Sequence, residues 1–124
     1  MEKVPLSSCF DHEKLNVYNS SIELVAVIDE IVKDLPRGRA YLTDQILRAG
    51  TSVPLNIAEG AGEFAINEKI RFYRIAKRSA TECSAILDVC RTLNLIKVEL
   101  LDRCKALLFA IVSMLTKLAK AAEK

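Results

Sequence analysis

Five basic side chains fall within a short stretch of this chain: Lys69, Arg71, Arg74, Lys77 and Arg78, against Glu68 alone between positions 64 and 81. On a helix, at 100° per residue, Arg71, Arg74 and Arg78 lie within about 60° of one another. Such an arc can contact successive phosphates, which makes these five residues a candidate nucleic-acid-binding stripe. The same arc also reads as a solvated face that pairs with acids elsewhere. Positions 11–34 supply six of these, Asp11, Glu13, Glu23, Asp29, Glu30 and Asp34, against Lys14 and Lys33. The formal net charge of +2 adds no global argument for a polyanionic partner.

A second group of polar residues surrounds a proline. Gln45, Arg48, Ser52, Asn56 and Glu59 recur at helical spacing around Gly50 and Pro54, and Gly60 follows. Glu82, with Ser79 one turn before it, could face them from another helix. These groups can form a polar clamp that holds helix register, or a small-molecule or catalytic site at the proline. The clamp asks less of the sequence, because no base–nucleophile pair is visible.

Other chemistries find little support. His12 is the single histidine and belongs to no Glu-x-x-His motif, so a di-iron bundle is excluded. No Gly-rich phosphate cradle occurs. Cys9, Cys83, Cys90 and Cys104 form no C-x-x-C pair, and Cys83 and Cys90 would stand roughly 10 Å apart on one helix, too far for a disulfide. They read as apolar core thiols of a reducing compartment. The expectation is therefore a non-enzymatic protein with no metal and no cofactor.

Four helices must carry these residues. With 124 residues the chain suits one domain, and 51% hydrophobic with 27% charged residues fits a globular fold. Apolar residues at 3-4 steps predict helices over about 12–35, 41–61, 67–93 and 98–122. Asp11, Thr43 or Asp44, and Asn67 are the expected N-caps, and Asn94 suits a left-handed stop after the third helix. The first helix is expected to bury Leu15, Tyr18, Ile22, Val25, Ile28, Val32 and Leu35. The second would bury Leu42, Ile46, Ala49, Val53 and Ile57. The fourth would bury Leu101, Cys104, Leu108, Ile111, Leu115, Leu118 and Ala122. Pro54 lies inside the second helix and opposite the carbonyl of Gly50, which predicts a kink. Short connections make neighbours antiparallel. The fold expected is all-α, an up-down-up-down antiparallel four-helix bundle over 1–124 with a kinked second helix.

Surplus apolar residues give a second stripe to two helices. On the first they are Val17, Leu24, Val27 and Ile31; on the third, Phe72, Ile75, Ile86, Val89 and Leu93. Left exposed, such stripes favour self-association into a closed homo-oligomer. The longest apolar run, Ala106–Val112, is far short of the ~20 residues of a membrane span, and the start of the chain lacks a signal-peptide core. A cytoplasmic protein with no membrane partner is expected.

The run LTDQILRAGTSVPLNIAEGAGEF, followed by FYRIAKRSATECSAILDVCRTLNLI and MLTKLAK, resembles the bacterial family of small four-helix bundles first described from intervening sequences of large-subunit ribosomal RNA genes. Gln45, Arg48, Gly50, Ser52, Pro54, Asn56, Glu59, Gly60, Ser79 and Glu82 carry the resemblance. It implies a cytosolic homo-oligomer, commonly a pentamer, without established enzymatic activity. More distantly the chain is similar to the accessory protein of diversity-generating retroelements, a basic ring that binds nucleic acid and a reverse transcriptase. RNA or DNA is thus an implied partner, besides further copies of the chain. Two positions depart from the family pattern: Glu63 where a basic residue is usual, and Lys77-Arg78 where Ala-Gly is frequent. The first weakens an anion-binding loop and the second strengthens the basic stripe.

Overall fold

The computed structural model describes residues 10–123. Cys9 and the start of the chain lie outside them. Four helices make up the molecule: α1 (Asn16–Lys33), α2 (Ala40–Ala61), α3 (Ile66–Thr92) and α4 (Val98–Ala122). Single 3-10 turns precede α1 at Asp11–Lys14 and α2 at Arg37–Arg39. No strand occurs among the described residues.

Each helix packs on its sequence neighbours, and α4 closes onto α1, while the diagonal pairs make no substantial contact. Arg74, early in α3, meets Glu123 just beyond α4, whereas Ser84 and Asp88, later in α3, meet Lys105 early in α4. Glu30 late in α1 likewise faces Arg103 early in α4. Neighbours therefore run antiparallel, as short connections require.

The predicted core faces of α2 and α4 are those observed, except at the end of α4, where Leu118 and Ala122 are only half-buried. Leu42, Ile46, Ala49, Val53 and Ile57 are buried, as are Leu101, Cys104, Leu108, Ile111 and Leu115. On α1 the expectation fails. Val17, Leu24, Val27 and Ile31, read as a surplus stripe, are core residues together with Ile28, while Ile22 is 46% exposed. Leu15, Tyr18, Val32 and Leu35 pack only partly against that core. The physical reason is Ser21, which interrupts the stripe in sequence yet is fully buried. Its hydroxyl donates to the Tyr18 carbonyl at 2.6 Å, so the helix itself satisfies the one polar group on that face. Ile86 of the second α3 stripe is also buried, leaving Val89 and Leu93 exposed.

Helix ends correct the expected caps. Leu15, Arg39 and Ala65 occupy the N-cap positions of α1, α2 and α3, none with a side-chain cap, and Asn67 lies inside the first turn of α3. The stop after α3 is as expected. Asn94 has φ 57°, its N–H donates to the Arg91 carbonyl, and the Leu95 N–H donates to the Cys90 carbonyl, a Schellman motif.

Helix α2 continues through Pro54, which is buried. The space at Gly50 is filled from α1: a methyl there would stand 2.5 Å from Ile28 Cδ1. Gly50 thus lets α1 approach α2, a role beyond opening the turn for Pro54.

Candidate functional site

Around Pro54 the polar residues divide into two sets. Asn56 Nδ2 donates to the Ser52 carbonyl at 2.8 Å and to Ser52 Oγ at 2.9 Å. Ser52 Oγ in turn shares a 2.9 Å hydrogen bond with Ser79 Oγ on α3. This chain of bonds staples α2 to α3 two residues before the proline. Gln45, Arg48 and Glu59 stand exposed on α2, and Glu82 is exposed on α3. The structure does not bring these four into the Ser52–Asn56–Ser79 cluster.

Gly60 serves the same interface. A methyl there would lie 2.6 Å from Tyr73 Cε1 and 3.2 Å from Phe72 Cβ, so the ring of Tyr73 rests against bare α2 backbone. Burial pushes the Tyr73 phenol above its ordinary value. Beside it, Lys69 Nζ donates to the carbonyls of Gly60 at 2.6 Å and Ala61 at 3.2 Å. A cation there answers the negative end of α2 and two of its orphan carbonyls. Lys69 thus departs from the basic stripe and closes α2.

The remaining basic residues differ in freedom. Arg71 makes a paired contact with Glu68 at 3.2 Å, and its guanidinium lies over the Phe72 ring, 5.0 Å from the centroid. Arg74 reaches Glu123 at 3.4 Å, with both side chains more than half exposed. Arg78 is exposed and makes no ion pair within 4.0 Å among the described residues. Arg74, Lys77 and Arg78 line one open depression along α3, of about 830 Å³, in which Glu82 is the single carboxylate. An open row of cations along one helix suits a phosphate backbone better than a discrete small molecule, which needs an enclosing cavity.

Between α3 and α4 the surface changes character. A groove of about 490 Å³ is lined by Ala80, Ala106, Leu108, Phe109 and Val112, and the Phe109 ring is 76% exposed. At its edge Lys105 Nζ donates to Ser84 Oγ at 2.7 Å and to Asp88 Oδ1 at 2.7 Å. That hydrogen bond holds the Asp88 carboxyl below its ordinary 3.8. Beneath, burial pushes the Cys83 thiol up to about 12 and the Cys104 thiol up to about 11, so both remain protonated and unreactive at neutral pH. Among the described residues no group of three or more His, Cys, Asp or Glu side chains is placed to hold a metal, and no helix is long and apolar enough to cross a membrane.

Fold and surface together define a small antiparallel helical bundle with a polar α2–α3 staple and a basic outer face. Residues 13–117 match the 23S rRNA-intervening sequence protein family, and the chain belongs to it. A solved relative is a protein of unknown function from the S23 ribosomal protein family of Bacteroides thetaiotaomicron VPI-5482. It is 25% identical, covers 84% of this chain and 98% of its own, and superposes with a TM-score of 0.78. No curated protein matches the chain. The family assignment agrees with the resemblance carried by Gln45 to Gly60, Ser79 and Glu82. No sequence signal marks Lys120 on α4, because its place beside α3 follows only from the antiparallel register.

Proposed function

We propose that this protein is a non-enzymatic, homo-oligomeric scaffold of the cytoplasm that docks a nucleic acid through the basic face of α3. The observation that carries this reading is the open depression lined by exposed Arg74 and Arg78 and half-buried Lys77, in whose lining Glu82 is the single carboxylate. Each cation there can replace a condensed counterion on a phosphate backbone, so affinity falls with added salt. The test is an RNA and DNA binding titration at two salt concentrations with wild type and an Arg71/Arg74/Arg78→Ala variant. Salt-sensitive binding is expected, and its slope should become shallower by roughly 1 for each phosphate-bound cation removed. Binding that the variant leaves unchanged overturns this face as the interface; binding only to an acidic protein replaces the nucleic acid as partner.

Self-association draws support from α2 and α4 rather than from α1. Leu55 is 60% exposed and Phe109 is 76% exposed, and Phe109 borders the apolar α3–α4 groove. Exposed apolar surface costs about 25 cal/mol for each Å² left in water, which favours a covering copy.

A further inference from the structure

A second, smaller cavity of about 200 Å³ lies between the start of α3 and the end of α4. Arg74 and Lys77 enter it from α3, Lys120 and Glu123 from the end of α4, and Leu115 and Ala119 contribute apolar wall. Three cations thus share the cleft with one carboxylate. Arg74 and Lys77 also line the open depression on α3, so the two hollows adjoin across these side chains. Adjacent helix axes stand about 8–10 Å apart, so Lys120 extends the cationic surface sideways, off the α3 ridge. At about 30 Å³ per water, the cleft has room for several waters or one phosphate group with part of its hydration.

We propose that this cleft is a phosphate subsite, built by Arg74, Lys77 and Lys120 for a phosphodiester of the bound strand, and that Glu123 is its internal competitor. The inference rests on the proposed nucleic-acid docking and adds the path of the strand, from α3 across to α4. Glu123 holds Arg74 through a single 3.4 Å contact, with the two side chains 51% and 67% exposed. Exposed pairs of this kind contribute little, so a phosphodiester, which has the same single charge but belongs to a strand held at other points along α3, displaces the carboxylate readily. The geometry assigns Glu123 the position that a phosphate oxygen would take on Arg74.

The experiment measures binding of an oligo(U) RNA lacking a terminal phosphate at about 0.1 M salt, with pyrophosphate as a second probe. Lys120→Ala is expected to weaken RNA binding by up to about tenfold and to shallow the salt slope by roughly 1. Glu123→Gln is expected to tighten it by about two- to fivefold. Glu23→Gln removes the same charge from the exposed face of α1 and is expected to change binding less than Glu123→Gln. Equal tightening by both Gln variants, or no effect of Lys120→Ala, overturns the subsite. It leaves the α3 interface standing if Arg71/Arg74/Arg78→Ala weakens binding and shallows its salt slope. Wild type that binds no RNA overturns both. Pyrophosphate that binds the cleft while oligo(U) does not assigns it to free phosphates and overturns the strand path.

Discussion

An alanine at Gly60 would press its methyl to 2.6 Å from Tyr73 Cε1 and 2.8 Å from Cδ1, against a ring held in the core. Tyr73 is 4% exposed, and both ring atoms fall well inside contact distance of the added methyl. Gly60→Ala is expected to destabilise the fold by about 1–3 kcal/mol despite its better helix propensity, read from urea denaturation. At Gly50 the colliding atom is Ile28 Cδ1, the far end of an aliphatic side chain rather than a rigid ring, within a core where Ile28 is 1% exposed. The propensity gain of about 1 kcal/mol there offsets the rearrangement, so Gly50→Ala is expected to stay within about 1 kcal/mol of wild type. Two glycines of one motif thus carry different constraints. Neither constraint is visible in the sequence, because it is set by a residue on a neighbouring helix.

Helix α3 is fastened on both sides, and each fastening makes a distinct expectation. Lys69 answers the last carbonyls of α2, whereas Arg78 makes no ion pair among the described residues. Lys69→Ala is expected to cost about 0.5–1.5 kcal/mol in thermal melts, and Arg78→Ala is expected to fall within about 0.5 kcal/mol of wild type. On the α4 side, Asp88 is held ionised by Lys105. Its folded-state pKa is depressed, so its contribution is present above the unfolded value and is lost as pH falls through the folded one. Between about pH 6 and 3, Asp88→Asn is expected to lose less melting temperature than wild type. Periodicity revealed the four helices because every one presents a 3-4 apolar repeat. It could not choose between the two repeats of α1, since both have helical spacing and a serine can hide its hydroxyl on its own helix. Of the candidate interface, Arg74 and Arg78 were legible from the arc they share with Arg71, and Lys77 from its place in the same basic stretch. Lys120 was not, because only the antiparallel packing of α3 and α4 brings it beside Arg74.

At the scale of the molecule, the bundle buries one apolar repeat of α1, half-buries most of the other, and leaves most of its exposed apolar side chains, Phe109 and Leu55 among them, on other helices. Phe109→Ser is expected to lower the oligomer mass seen by light scattering at micromolar concentration. A wild-type mass of 13.8 kDa there would overturn self-association. Helices of 18–27 residues joined by short connections also make most contacts between chain neighbours. One more property of the whole follows from Cys83, Cys90 and Cys104, all 0% exposed. No alkylating reagent reaches these sulfurs while the four helices remain docked, so each modification records an opening event. With Cys9 replaced by serine, the three thiols become a clock. Cys83 on α3 and Cys104 on α4 should be trapped at one shared rate if the bundle opens as a unit, and at separate rates if α4 peels away first.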